Sequence, residues 1–365
     1  PNAMPYVNAV GAPYDSGTYA ANLDLAMHIA DWDGFKARRR EARRRGRLLG
    51  LGLANYVESS IGAPNERAEI TVTPAGRVAV IIGTQPSGQG HETSFAQVMA
   101  DLLAVPVECI DIVMGDTDVV MVGGGSHSGR SMRHAATVFT KAAADLIAEG
   151  KRIAASLLEA PVDAVSFSDG RFAAPSSNRT FDFLELAKEA ARHDLRLAAA
   201  ADNEMHDPVF PNGCAVCEVE VDPDTGWVDI TRYAAVDDVG RCINPMIVHG
   251  QTHGGIAQGI GEAMWEQCFV DPGTGQPLSG SFMDYGMPRA DNLPSFRTEI
   301  VEVLSPTNPL GIKAGGEGGT TPTLAAVVSA ICDALKDYGV RNITMPATPF
   351  AVWQAIEAAK AKGAR

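Results

Sequence analysis

One pattern occurs twice in this chain and narrows its possible folds more than any other feature. The segment Glu69-Ile-Thr-Val-Thr-Pro-Ala-Gly-Arg-Val-Ala-Val-Ile alternates, turns at Pro-Ala-Gly and alternates again, which predicts a β-hairpin. Glu218-Val-Glu-Val-Asp-Pro-Asp-Thr-Gly-Trp-Val-Asp-Ile repeats the design with Asp-Pro-Asp-Thr-Gly as its turn. After the first hairpin, a loop Gly88-Gln-Gly-His91 leads into a helix from Glu92 to Leu103. After the second, a loop Gly250-Gln-Thr-His253 leads into a helix ending near Met264. Two copies of hairpin, Gly-Gln-x-His loop and helix predict an α+β fold of two related hairpin-plus-helix subdomains.

The rest of the chain arranges itself around these copies. Residues 1–30 are a Pro-, Gly- and Tyr-rich connecting segment, Asp31 to Arg47 reads as a helix, and Leu48-Leu-Gly-Leu-Gly-Leu-Ala54 opens a buried strand. An Ala-rich helix spans about Met132 to Ala160, followed by a small hairpin and helix to about His193. Further helices cover about Thr323 to Tyr338 and Thr348 to Lys362. The Pro/Gly-rich passage 270–320 has the length of a functional surface rather than of a simple connection. The division follows as 1–48 for the connecting segment and basic helix, 49–203 for the first subdomain and 204–365 for the second.

Charge and composition exclude several classes. A net charge of −14 argues against a nucleic-acid partner, which requires Lys and Arg to neutralise phosphates. The basic run Lys36, Arg38, Arg39, Arg40, Arg43, Arg44, Arg45 and Arg47 reads as a solvated helix face or a partner-facing surface rather than a polyanion patch. No stretch approaches the roughly 20 apolar residues of a membrane helix, so no membrane partner is expected. The six cysteines are expected to be reduced thiols of a cytoplasmic-type protein, and Cys214 and Cys217 to point to opposite faces of one strand. The chain opens at Pro1 rather than Met, consistent with a natural start, and any export signal, lying upstream.

Three loops, Gln85–Glu92, Gly123–Ser131 and Gly311–Thr321, are dense in Gly, Ser and Thr, and the first and third run directly into helices. Glycine admits a close ligand, and a helix N-terminus offers free N–H groups to an anion. Together they point to a large polyanionic cofactor held by backbone amides, which needs no basic surface. No nucleotide phosphate loop or dinucleotide fingerprint is present. His91-Glu92 begins like a zinc-protease helix, but Phe95 stands where the second His is required, and His249 and His253 have no carboxylate or Cys at metal spacing, so no metal ligand is assigned to the chain. Glu317, alone among Gly, Ala and Thr before an apolar helix, is either a carboxylate stabilised by the helix dipole or a general base in a dry pocket.

Taken in order, these segments resemble a known family. Gly88-Gln-Gly-His-Glu-Thr93 with Phe95-Ala-Gln97, then Gly129-Arg-Ser131, then Gly250-Gln-Thr-His-Gly-Gly-Ile-Ala-Gln-Gly-Ile-Gly261 are similar to pterin-binding stretches of the xanthine oxidase, aldehyde oxidase and carbon monoxide dehydrogenase family of molybdenum hydroxylases. Asn308-Pro-Leu-Gly-Ile-Lys-Ala-Gly-Gly-Glu317 resembles the segment that carries the family's catalytic glutamate, and Met345-Pro-Ala-Thr-Pro349 its closing motif. Pro5-Tyr, Tyr14-Asp-Ser-Gly17 and Asp31-Trp with Phe35 also fit, so the likeness covers essentially the whole chain as the C-terminal half of the molybdenum-binding subunit.

The resemblance implies a molybdopterin cofactor carrying molybdenum, often in its cytosine dinucleotide form. Gly88, Gln89, Gly90, His91, Ser128, Gly129, Arg130, Ser131, Gly315 and Gly316 would contact it, and Gln251 would lie near the metal. Glu317 would be the catalytic base in hydroxylation of an aldehyde, an N-heterocycle or a related electron-poor carbon, or of carbon monoxide in one branch, with water as the oxygen source. Iron–sulfur and flavin (FAD) centres would sit on partner subunits. The family's preceding half, with its own glycine-rich loop and substrate-shaping loop, is absent from this sequence, which implies a fragment, a split subunit or a chain needing an N-terminal partner half. Gly318-Gly319 also replaces bulkier residues found in relatives. The alternative is a half-subunit that clamps cofactor and completes an interface without chemistry of its own.

Overall fold

Both alternating segments form hairpins in the computed structural model, which describes residues 3–363. A short arm pairs β1 (Tyr6–Val7) with β2 (Pro13–Tyr14) and leads into α1 (Tyr19–Ile29) and the basic α2 (Phe35–Arg44). Next come β3 (Leu48–Val57), β4 (Asn65–Val72), β5 (Val78–Ile82), α3 (His91–Leu103), β6 (Ile110–Val113) and the long α4 (Arg130–Leu157). A small sheet of β7 (Ser166–Ser168), β8 (Arg171–Ala173) and β9 (Thr180–Asp182) precedes α5 (Phe183–Ala191) and β10 (Leu197–Glu204). The chain continues through β11 (Asn212–Val221), β12 (Val228–Asp238), α6 (Pro245–Met264), β13 (Arg297–Val301), α7 (Thr320–Ala334) and α8 (Pro349–Gly363).

The repeat is topological as well as sequential. One sheet runs β10-β4-β5-β6 and the other β3-β11-β12-β13. In each, an outer strand pairs antiparallel with a hairpin, and a helix crosses over to a strand parallel to the hairpin's second arm: β5 to β6 through α3, β12 to β13 through α6. The fold is therefore α+β, with two related hairpin-plus-helix units.

The sheets differ in where the fourth strand comes from. β10 follows its hairpin in the chain, whereas β3 precedes its own. Leu48–Val57, which chain order groups with the first unit, is hydrogen-bonded to β11 in the second sheet. Its glycines explain the placement. A Cβ at Gly50 or Gly52 would collide with the carbonyls of Ala330 or Ala326, so only glycine lets α7 lie this close.

Burial follows the periodicity. In β4 and β5, Ala68, Ile70, Val72, Val78, Val80 and Ile82 face Phe95, Met99, Phe139 and Leu146 of α3 and α4. Each large side chain buried there contributes about 1.5–3 kcal/mol. β11 is covered on both faces: Cys217, Val219 and Val221 meet α6 and α7, while Cys214 and Val216 meet Ala26 and Ala30 beside α1. The two cysteines thus do point oppositely, and all six thiols are free.

Three sequence expectations need correction. The connecting segment 1–30 contains α1, whose Asn22 is buried and donates to Asn212 at 3.0 Å, a long-range contact that local pattern cannot reveal. α6 starts at Pro245 from an Asn244 cap whose side chain accepts from Ile247 N at 3.1 Å, so Gly250–His253 lies inside the helix and is not a loop. The basic helix is not a freely solvated face. Arg38 pairs with Glu218 at 2.7 Å and Arg45 with Glu220 at 2.5 Å, while Arg39, Arg43 and Arg47 pair with Asp333, Asp337 and Asp222. Among the described residues no helix is long and apolar enough to cross a membrane.

Candidate active site

The glycine-rich loops and α6 converge on one cavity of about 420 Å³. Gln89 and His91 enter it from the first loop, Ser128, Gly129 and Ser131 from the second, Gln251 from α6, and Gly315, Gly316 and Glu317 from the third. The helices α3 and α4 both start at its wall, so their unpaired N–H groups and positive dipole ends favour an anion there.

Gly90 stands before α3 at φ +70°, and Gly129 before α4 at φ +65°. This left-handed backbone favours glycine. Gln89 joins the two loops: its side-chain oxygen accepts from Ser87 N at 2.5 Å and its amide donates to Ser126 Oγ at 3.2 Å. Ser131 Oγ lies 2.7 Å from Thr84 Oγ1 and 2.9 Å from Ser126 Oγ, extending the same brace. His91 stacks on Phe95 with ring centroids 4.7 Å apart, and burial pushes its imidazole down to about 4, against the opposing pull of Glu92. The ring is therefore neutral at physiological pH. Its Nδ1 is enclosed and has no hydrogen-bond partner among the described residues.

Three of the sequence-predicted contacts lie off the cavity wall. Gly88 and Gly90 shape the loop, and a Cβ at Gly90 would sit 3.1 Å from Ile247 of α6. Arg130 is 1% exposed and spends its guanidinium inside the protein. It donates to Glu66 at 2.8 Å and to the carbonyls of Ala63, Gly125 and Asn65 at 2.7–2.9 Å. It holds the second loop in place rather than facing the cavity.

The third loop is equally anchored. The Asn308 side chain bridges Ile312 N and O, and Lys313, fully buried, donates to Asp238 at 2.6 Å and to Ser16 O at 3.3 Å. A Cβ at Gly318 would stand 2.5 Å from Tyr56 Oη and 3.1 Å from Asp237 Oδ1, and one at Gly319 would strike the Thr252 carbonyl. Glycine at both positions is thus required by the approach of this loop to β3 and α6. Asp237 lies beneath it, accepting from Tyr56 at 2.7 Å and Thr252 at 2.8 Å, and burial nonetheless raises its proton affinity.

Glu317 is exposed in this chain, not dry. Its carbonyl accepts from Thr320 N and Thr321 N, but its carboxylate makes no hydrogen bond among the described residues and does not cap α7, whose N-cap is Gly319. A Cβ at Gly316, just before it, would meet open space. The expected dry pocket is thus corrected to an exposed position just before α7, with no side-chain cap bond to that helix.

Sequence reasoning missed the wall between β12 and α6, which contributes Val239, Arg241, Asn244, Ile247 and Val248. Arg241 is exposed and its side chain has no partner among the described residues, which leaves a cation at the cavity for an anionic group. The pair Asn244-Pro245 was the available signal, since Asn before Pro marks a helix start.

These features define a cofactor-binding α+β domain, with backbone and side-chain donors gathered around a cavity for an anionic group. Residues 25–294 match the model of the molybdopterin cofactor-binding domain, and the chain belongs to that family. It is 35% identical over 94% of its length to the gamma subunit of the 6-hydroxypseudooxynicotine dehydrogenase complex of Paenarthrobacter nicotinovorans, and covers 44% of that protein. It is 31% identical over 97% of its length to the carbon monoxide dehydrogenase large chain of Hydrogenophaga pseudoflava, covering 46% of it. The structure of quinoline 2-oxidoreductase from Pseudomonas putida 86 superposes over 97% of this chain and 48% of that one, with a TM-score of 0.88 and 33% identity. The chain spans about half the length of the curated relatives it matches.

Proposed function

We propose that this chain is the C-terminal half of the molybdenum subunit of a hydroxylase that oxidises an aldehyde, an N-heterocycle or a related electron-poor carbon with water as the oxygen source. The observation that carries this reading is Glu317: an unpaired carboxylate in the wall of a cavity lined by helix N-termini and a neutral, unpartnered His91. The residues fit a molybdopterin. Amides and hydroxyls of Ser128, Gly129 and Ser131 would hold its phosphate end, Arg241 would balance its charge, and the His91 ring would line its pocket. The cytosine dinucleotide form suits the number of anion-ready loops. When bound, the molybdenum cofactor supplies the two-electron oxidation. Glu317 accepts the proton released as the water-derived oxygen reaches the substrate, and Gln251 orients groups at that end.

The partners in this reading are an N-terminal half completing the cavity, and iron–sulfur and flavin subunits accepting electrons. Phe282 and Met283 are 86% and 92% exposed, and Met246, in the first turn of α6, is 78% exposed; such side chains are available to another chain. Free cysteines fit a reducing compartment, and we place the enzyme in the cytoplasm.

Co-expression with a matching N-terminal half tests the proposal. The purified complex should contain molybdenum and a cytosine nucleotide and should reduce an electron-accepting dye with substrate. Glu317→Gln should lower turnover by about 10²–10⁴-fold while leaving molybdenum in place. Retained turnover in that variant would show that the base is elsewhere, and cofactor without turnover in either protein would favour a clamping half-subunit.

A further inference from the structure

A buried carboxylate lies beneath the third cavity loop without a cation to balance it. Asp237, on β12, is 3% exposed and forms no ion pair among the described residues, whereas Asp238 beside it is matched by the fully buried Lys313. Holding such a group away from water is costly, and burial raises its hold on a proton against the two hydrogen bonds that it accepts. Its oxygens are divided between two elements. Oδ1 accepts from Tyr56 Oη of β3 at 2.7 Å, and Oδ2 from Thr252 Oγ1 of α6 at 2.8 Å. Both donor residues also touch the segment that carries Glu317. A Cβ at Gly318 would stand 2.5 Å from Tyr56 Oη and 3.1 Å from Asp237 Oδ1, so the Glu317 turn rests directly on this pair. A Cβ at Gly319 would strike the Thr252 carbonyl, and one turn along α6 Thr320 Oγ1 donates to Gly255 O at 2.9 Å. The carbonyl of Glu317 accepts from Thr320 N at 3.1 Å and Thr321 N at 3.0 Å, which ties its backbone to the same start of α7.

We infer that Asp237 is a positioning residue of the hydroxylation site: through Tyr56 and Thr252 it fixes the Glu317 turn against β3 and α6. The inference rests on the reading of Glu317 as the base. Glu317 directly precedes Gly318, and Gln251 directly precedes Thr252; both line the cavity, so one carboxylate braces the two turns that bring them there. The Glu317 carboxylate makes no hydrogen bond of its own among the described residues. Its place is therefore set by its backbone, and that backbone lies on the Asp237 cluster. A catalytic group displaced by about 1 Å can lose about 10²-fold in rate, which gives a rigid support here a kinetic value separate from stability. Only a carboxylate offers a separate acceptor oxygen to each of the two hydroxyls.

The test uses the complete complex. Asp237→Asn keeps the shape of the side chain and leaves one hydroxyl without its acceptor. Thr252→Val and Tyr56→Phe each remove one donor with little change of volume, and serve if Asp237→Asn does not fold. Each variant should retain molybdenum and lower kcat by about 10–10²-fold with KM nearly unchanged. Thr252→Ser, which keeps the hydroxyl, should lose little of the wild-type rate. In a Glu317→Gln background the same changes should cost little further, because the positioning acts through that carboxylate. Unchanged kcat, a loss that only tracks lost molybdenum, or an equal loss on top of Glu317→Gln would overturn the positioning role and leave Glu317 as the base. Full turnover in Glu317→Gln would instead remove the reading beneath both.

Discussion

In the first sheet unit a left-handed glycine stands before each cavity helix, Gly90 before α3 and Gly129 before α4. In the second, α6 begins from an Asn244 cap and Pro245, and α7 from a right-handed Gly319. Each unit also places a fully buried ion pair under its loops, Arg130–Glu66 in one and Lys313–Asp238 in the other. The pairs are built differently. Arg130 ties together three backbone carbonyls of two loops, whereas Asp238 is the hub of its pair, taking further donors from Gly240 N, Val303 N and Asn212. The same topology and nearly the same Gly-Gln-x-His tetrad thus produce an anion-facing turn in one place and a plain helix interior in the other. What decides is where the chain can start its helix.

Substitutions in the two units can break this contrast. The largest loss is expected for Arg130→Met, which leaves Glu66 Oε2 and three carbonyls without their donor while Glu66 Oε1 keeps the N–H of Gly83: about 3–5 kcal/mol by chemical denaturation. Lys313→Met should fall at the lower end of that range, because it leaves one carbonyl rather than three without a donor and Asp238 keeps three others. Equal losses would mean that the two pairs are anchored alike. Gly90→Val should cost about 1–2 kcal/mol for a side chain forced into a left-handed backbone, and should also lower the molybdenum retained per complex, since Ile247 must move. The smallest effect is expected at the glycine that opens the second tetrad. Gly250 lies in helical backbone with open space around its Cβ position, so Gly250→Ala should stabilise by about 0.5–1 kcal/mol. A destabilised Gly250→Ala would show that this tetrad, too, depends on its glycine.

Much of the fold and part of the site were legible in the residues. Alternation and turn chemistry marked both hairpins because those signals are local: Val72 pairs with Val78 and Val221 with Val228 across the predicted turns. Gln89, His91, Ser128, Gly129, Ser131, Gln251, Gly315, Gly316 and Glu317 do meet at one cavity. Arg130 was misjudged because its partner, Glu66, is set by tertiary packing, and nothing in Gly-Arg-Ser distinguishes a buried clamp from a ligand contact. The ion pairs of Arg38 and Arg43 were hidden for the same reason, their acids lying on β11 and beyond α7. The second tetrad was placed in a loop because its likeness to the first outweighed the cap at Asn244.

The pairing of β3 with β11 has a consequence for how the chain is made. Val57 and Asn212 are register partners on adjacent strands, yet all of the β10-β4-β5-β6 sheet lies between them in sequence. That sheet is a guest spliced into a host. During synthesis the guest can close on its own, while β3 waits with an open edge until β11 emerges. The host's two ends are neighbours, so a short turn spanning the roughly 5 Å between paired strands would join them, and the guest could in principle be lifted out whole.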